Sequence, residues 1–331
     1  MTAPLRAREW WGFKFAPVFG VVYATAFMLR VPVLSAWPTL LTIIVGLAPC
    51  AAYTSLINDL TDAVDDLAAS KPNRLAHKSR AFVASAVIAC IVVGVAVALQ
   101  FRRDLVLVSL YAAPWIAFTL YSVPPIRLKG RGLFGLLADA SGAHLFPTLW
   151  ATTLLYRRTN IPFDLIWLVT IAVWSLSYGA RGILWHQLSD LSNDEKIGLS
   201  TFARRHKPTR LRAVGNFVIF PTELAALSLM LWSAGGRIPL IFLACHAMLA
   251  FLRKRLWGLN IVIVVPKVRY QILMQEYYEL FFPLAFLVSS SARYPLDAVV
   301  IVVHLLLFPR RAIESGRSII EASRAVVLRL R

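Results

Sequence analysis

Long apolar blocks, separated by short basic loops, constrain this chain more than any other feature. About 20 consecutive apolar residues cross a bilayer, and a backbone in hydrocarbon must satisfy its own hydrogen bonds. The blocks are therefore expected to be helices. They fall at 11–29, 38–57, 81–100, 105–121, 133–155, 163–186, 211–234, 238–252, 272–291 and 295–309. The eighth and tenth are short, so the expectation is an all-α integral membrane bundle of nine to ten transmembrane helices. A hydrophobic content of 58% and a mean hydropathy of +0.66 exclude an ordinary soluble domain. No small-residue cleavage site follows the first block, so it is expected to remain a span rather than act as a signal peptide.

The charge balance, 35 Lys and Arg against 17 Asp and Glu, first suggests nucleic acid. Placing the charges removes that reading. With ten spans and the N-terminus inside, the outer loops hold only Arg30, Arg102, Arg103, Arg157, Arg158, Arg237 and Arg293. The rest, apart from Arg181 within a span, fall on the inner side, as the positive-inside rule requires. Membrane lipids are the expected surroundings, with no nucleic acid and no obligate protein partner evident. Cys50, Cys90 and Cys245 stand apart in apolar sequence and read as packing residues.

Against that basic background, seven of the 17 acids sit in two short stretches. The first runs from Asn58 through Asp59, Asp62 and Asp65 to Asp66; the second holds Asp190, Asp194 and Glu195. Both lie where a span ends on the inner side. On a continuous helix, Asn58, Asp59, Asp62, Asp65 and Asp66 share a face of about 120°. His186, Gln187, Asp190, Asn193 and Asp194 do the same. Carboxylates crowded at a membrane edge stay ionised only beside cations, and an oxygen-only donor set suits Mg²⁺. So many carboxylates suit two or three ions bridging a diphosphate, whose departure metal ions and cationic side chains would assist. Arg74, Arg127, Lys129, Arg131 and Lys196 lie close by in the sequence.

These motifs resemble the UbiA superfamily of intramembrane prenyltransferases. Asn58, Asp59, Asp62 and Asp66 match N-D-x-x-D-x-x-x-D. Asp190 and Asp194, with Gly198, Ser200 and Thr201 following, match the second acidic motif. Tyr121-Ser122-Val123-Pro124-Pro125-Ile126-Arg127-Leu128-Lys129 is similar to the Y-S-x-P-P-x-x-x-K loop of several branches. The resemblance covers about residues 10–290. It implies helices around a central cavity and Mg²⁺-dependent transfer of a prenyl chain from a polyprenyl diphosphate to a lipophilic acceptor. It implies Asn58, Asp59, Asp62 and Asp66 at one metal site, Asp190 and Asp194 at the other, and Lys129 on the diphosphate. Arg74, Tyr121, Arg127, Lys196 and Tyr178 are candidates for substrate contact. Terpene cyclisation and phosphoribosyl transfer to a polyprenyl phosphate, both known in the superfamily, would use the same site. A transporter is the remaining alternative, but its acids would lie nearer the midplane. After Arg74 the usual P-L-x-x-G gives way to Leu75-Ala76-His77-Lys78-Ser79, and the second motif lacks the tyrosine-containing approach of quinone-pathway members. These departures bear on the acceptor, not on the metal ligands.

Four further positions carry expectations. His186, one turn before Asp190, is placed to orient it or to meet the acceptor. Arg181, intramembrane and cationic, must find an anion, with substrate phosphate or Asp139 as partners. Glu276 and Glu279 are expected to cap a helix end or to pair with Arg253, Lys254 or Arg255. The basic, amphipathic segment 310–331 is separate from the transmembrane domain 1–309; it reads either as a surface helix on anionic lipid or as a solvated one.

Overall fold

The computed structural model describes residues 5–329, with side chains to residue 324. In chain order the helices are α1 (Ala7–Met28), α2 (Leu34–Thr61), α3 (Ala63–Ala68), α4 (Arg80–Gln100), α5 (Leu105–Ser122) and α6 (133–159). There follow α7 (Leu165–Ser189), α8 (Leu191–Lys196), α9 (Pro208–Ala234) and α10 (Ile238–Trp257). The last three are α11 (275–293), α12 (Pro295–Leu307) and α13 (Pro309–Arg329). Two three-residue strands, β1 (Asn260–Val262) and β2 (Tyr270–Ile272), pair in parallel between α10 and α11.

Local chemistry sets the helix ends. Asp104 accepts from the amides of Val106 and Leu107 (both 3.1 Å) to start α5, and Asp164 accepts from Trp167 N (3.0 Å) to start α7. Asn160, in the left-handed region at φ 53°, closes α6.

Each of the ten expected spans falls on helix, but they are not equal. Among the described residues six helices (α1, α2, α4, α5, α7 and α9) are long and apolar enough to cross a membrane, and α12 is a shorter apolar one. The stretch α10 ends in Arg253, Lys254 and Arg255, which lowers its apolar character. Helix α4 leaves Ile88, Ile91, Val92, Val95 and Leu99 exposed. A face of that kind needs a covering, and acyl chains supply one.

Packing brings α7 against α9 and α6, α2 against α4, and α11 against α1 and α10. Widened π-helical turns interrupt α1 (Trp11–Phe15), α6 (Ser141–Leu145), α9 (Gly215–Ile219) and α11 (Tyr277–Phe281). Such turns often mark places where a helix re-aims its side chains. The first, second and fourth carry Lys14, His144 and Glu279.

The segment 310–331 is not a free tail, as far as it is described; Leu330 and Arg331 lie outside the described residues. Helix α13 packs on α10 and α11 through polar contacts. Arg311 bonds Glu279 (2.5 Å), Ser315 bonds Glu276, and Arg253 reaches Ser318 (3.1 Å). Its opposite face, with Arg310, Ile313, Arg317, Ile320 and Arg324, is exposed.

Candidate active site

Neither acidic stretch is one continuous helix. α2 stops at Thr61 and α7 at Ser189, and a single residue, Asp62 or Asp190, stands before the next short helix. Both junction residues adopt nearly the same backbone, φ −95° ψ 0° and φ −97° ψ 4°. This sparsely populated bridge region is common at active sites. Each junction amide still donates back along its helix, Asp62 N to Asn58 O (2.9 Å) and Asp190 N to His186 O (3.0 Å). The expected single face is therefore a pair of kinks, each centred on a motif aspartate.

The three motifs meet at one end of the bundle. Ser122 bonds Asn58 Oδ1 (3.3 Å), and Lys129 bonds Asp62. Lys71, whose amide donates to Asp66 O (2.7 Å), reaches across to Asp190 Oδ2 (3.1 Å). Gly132 bridges to the segment after the second stretch, its amide donating to Ser200 O (3.3 Å). One lysine side chain thus spans from the loop behind the first cluster to the second.

Cations from other segments stand among the carboxylates. Arg127 lies 3.0 Å from Asp62 and also pairs with Asp65; Arg6 lies 3.4 Å from Asp59. Arg74 pairs with Glu9 and stands 4.0 Å from Asp59. Asp194 is buried and accepts from Thr201 Oγ1 (3.2 Å); burial raises its pKa. Lys129 is buried too, and desolvation pushes its pKa down to about 8 against the opposing pull of Asp194. Among the described residues no three His, Cys, Asp or Glu side chains are gathered closely enough to hold an ion. The donor set nonetheless suits a hard cation. It is all oxygen, and Asp59 Oδ2 is buried without a hydrogen bond.

Behind this end lies a cavity of about 860 Å³. His186 lines it and sits 3.7 Å from Asp190; Glu9 lines it and pairs with Arg74. No residue of either acidic stretch from Asn58 to Asp66 or from Asp190 to Asp194 lines the cavity itself; the stretches adjoin it through these two contacts. Tyr178 forms part of the wall, stacked on Trp174 (5.7 Å, 16°) and met edge-on by Tyr278 and His144 (5.0 and 4.7 Å). Helix α13 contributes Arg311, Glu314 and Ser318 to the far side.

Several expected residues are placed differently. Arg181 does not pair with Asp139. It makes a two-point ion pair with Glu223 of α9 (2.6 and 2.8 Å), and Tyr178 and Phe220 rings lie 5.7 and 5.5 Å from it. Both partners are buried, and Tyr278 adds a bond to Glu223 (2.8 Å). Lys196 is exposed and turned away: buried Asp194 lies two residues back, about 200° around α8. Tyr121 is not displaced: half-buried in the last turn of α5 and edge-on to Phe118 (6.4 Å), it has Asp139, Asp190 and Asp194 as charged neighbours. Glu276 pairs with Arg253 as expected (3.0 Å), but Glu279 pairs with Arg311 of the C-terminal helix.

Asn73 went unremarked in the sequence although it sits between Lys71 and Arg74. Its amide donates to Asp59 O (2.7 Å) and Asp66 Oδ2 (2.8 Å), tying together the two ends of the first acidic stretch. Glu223 was also missed; the signal was a lone acid in an apolar block, the counterpart of lone Arg181.

A UbiA homolog from Archaeoglobus fulgidus has a TM-score of 0.58 at 17% identity, covering 87% of this chain and 97% of that one. The same homolog bound to GPP and Mg²⁺ gives a TM-score of 0.54 at 16% identity, covering 87% and 98%. A 2-acylphloroglucinol 4-prenyltransferase of Humulus lupulus is 25% identical over 245 residues, 68% of this chain and 55% of that protein. A chloroplastic 2-acylphloroglucinol 4-prenyltransferase of the same organism is 25% identical over 209 residues, 60% and 49%. The chain spans about half the length of these two relatives. The model of the UbiA prenyltransferase family matches residues 18–260. Over most of its length, then, the fold and the sequence pattern agree, and the chain belongs to the UbiA prenyltransferase family.

Proposed function

We propose that this protein transfers a prenyl chain from a prenyl diphosphate to a lipophilic acceptor within the membrane, with Mg²⁺ as cofactor. One observation carries the reading: two kinked acidic segments and a Lys129-bearing loop meet at one end of the bundle, beside a cavity of about 860 Å³ that they adjoin through His186. As a UbiA-family chain with six apolar helices, it is an integral membrane protein. The distribution of basic residues supports a cytoplasmic site and an inward N-terminus.

Asn58, Asp59, Asp62 and Asp66 would hold one ion or set of ions, and Asp190 and Asp194 another. Bound there, Mg²⁺ would neutralise the charge that builds on the leaving diphosphate oxygen. Lys71, Arg127 and Lys129 already stand among those carboxylates and would donate to the diphosphate as its C–O bond breaks. Tyr178, which lines the cavity, would offer the allylic carbon a π surface as it becomes cationic, with fully buried Trp174 stacked behind its ring. The acceptor supplies the electron pair for the new bond and loses a proton. The two Humulus lupulus relatives are named for a 2-acylphloroglucinol acceptor, which favours a phenolic acceptor here.

The test is to incubate purified protein with Mg²⁺ and geranyl or geranylgeranyl diphosphate, with and without 2-acylphloroglucinol or membrane extract. Acceptor-dependent release of diphosphate with a prenylated product is expected. Release without acceptor points to cyclisation, and no release with any prenyl donor moves weight to a sugar diphosphate. Chelation should abolish turnover; activity that survives it overturns the metal assignment.

A pH dependence follows from Lys129. Its ammonium, held near pKa 8 by burial, is present below that pH and lost above it. We expect kcat/KM, which reports the free enzyme, to fall as pH rises through about 8. Lys129→Arg should remove that limb, because guanidinium stays charged throughout the range. An unchanged limb in the arginine variant would take Lys129 out of the diphosphate site.

A further inference from the structure

A second cavity, of about 390 Å³, opens where the start of α1 meets the junction of α12 and α13. Its floor is apolar, formed by Trp11, Phe13, Ala16, Leu307 and Phe308. Arg8, Arg310 and Arg311 line it, against Glu279 as its one carboxylate, and Glu279 is already paired with Arg311. Among the described residues no carboxylate lies within ion-pair distance of exposed Arg8, and Arg310 pairs with Glu314 (2.9 Å, both largely exposed) and lies over the Phe13 ring (5.6 Å). The groove thus joins hydrocarbon-like walls to an excess of positive charge. Trp11 fixes its depth: a tryptophan at a span end, its indole N–H donating to Leu307 O (2.7 Å), marks the interfacial level. The charge continues along the exposed face of α13, where Arg317 and Arg324 follow Arg310 at successive seven-residue steps with Ile313 and Ile320 between them.

We propose that this groove is a binding site for one anionic bilayer phospholipid. Its head-group phosphate would lie between Arg8 and Arg310, and the upper part of an acyl chain would lie on Trp11 and Phe308. Basic pockets between membrane helices recognise lipid head groups by this combination of charge and apolar wall. The position has a consequence for the larger cavity. Arg311 lines both, and its bond to Glu279 is one of the contacts that seat α13 as the cavity wall. A lipid in the groove clamps α1 to the base of α13, and so holds that wall in place.

Binding can be read without any knowledge of the acceptor. Full-length protein in neutral detergent is offered equal phosphatidylglycerol and phosphatidylcholine, and retained lipid is counted by native mass spectrometry. One retained phosphatidylglycerol is expected. At about 1 kcal/mol for each arginine, Arg8→Gln combined with Arg310→Gln should weaken retention about 30-fold. Gly12→Leu keeps every charge and fills the groove; a Cβ at Gly12 meets open space, so the fold tolerates it. Filling the groove should abolish retention. Arg210→Gln with Arg212→Gln, exposed at the start of α9, should leave retention unchanged. Equal retention of both lipids, or unaltered retention in the arginine pair, overturns the site. Loss in the arginine pair but not in Gly12→Leu places the lipid on the outer surface and also overturns it. So does displacement of phosphatidylglycerol by geranyl diphosphate, which would assign the groove to the isoprenoid donor.

Discussion

Asp62→Asn and Asp190→Asn should each lower turnover by about 10²–10³-fold, the range seen when one electrostatic contact to a developing anion is lost. The two residues hold the same position in their segments, the single residue between a span and a short helix, with near-identical backbone angles. Asparagine keeps the side-chain volume and the backbone bonds to Asn58 O and His186 O, so the purified variants should fold. What changes is charge. Asp62 faces Lys129 and Arg127, and Asp190 faces Lys71. Neutralising Asp62 leaves Lys129 without its partner and Arg127 with Asp65 alone, neutralising Asp190 leaves Lys71 without its partner, and either change removes an oxygen suited to a hard cation. Asp65→Asn is the control. Asp65 pairs with Arg127 but falls outside the motif positions, so its loss should cost much less. Diphosphate release from a prenyl donor gives the rate, and thermal unfolding gives the fold. An Asp62 or Asp190 variant that stays within about tenfold of the parent would falsify its assignment to transition-state stabilisation.

The largest effect on stability is expected at Glu223. Its carboxylate meets Arg181 in a two-point contact, with both side chains buried. Glu223→Ala leaves a buried guanidinium without a counter-charge, which typically costs about 3–5 kcal/mol. Removing both charges, as in Arg181→Met with Glu223→Leu, should restore most of that loss, because a well-packed apolar pair often replaces a buried ion pair at little cost. Denaturation of the purified variants checks both statements. A Glu223→Ala protein as stable as the parent would show that the pair is not a structural brace. The double variant also decides what Arg181, which lines the main cavity, does for substrate. If it folds and turns over normally, Arg181 serves the fold alone; a raised KM would return it to the substrate site.

Much of this was legible in one dimension because hydropathy and motif spacing are local properties. The apolar blocks marked where helices run, and the acids at their ends marked where the three motifs meet. Pairing between distant segments was not legible. Arg181 announced its need for an anion, but whether Asp139, Glu223 or a substrate supplied it depended on α7 packing against α9. The same holds for α13. Alternating arginine and isoleucine read equally well as a surface helix or a solvated one, and only the contacts of Arg311, Ser315 and Ser318 show which face is docked. The breaks at Asp62 and Asp190 were hidden for another reason: neither residue is glycine or proline, so no breaker marks them. Lys196 is exposed while Asp194 is buried, because nearness in sequence is not nearness around a helix.

The kinks also limit how this chain can vary in length. Each junction residue is reached by counting along an uninterrupted span whose inner face is fixed by packing, in α2 by Ile43, Leu47 and Leu56. Inserting one residue between Leu47 and Leu56 would rotate everything downstream by about 100° and advance it about 1.5 Å. Asp59 and Asp62 would swing away from Asn73 and Lys129 toward the side now occupied by exposed Leu60 and Val64. Insertions should therefore be tolerated in the loops and forbidden in α2 and α7, even where hydrophobicity is preserved.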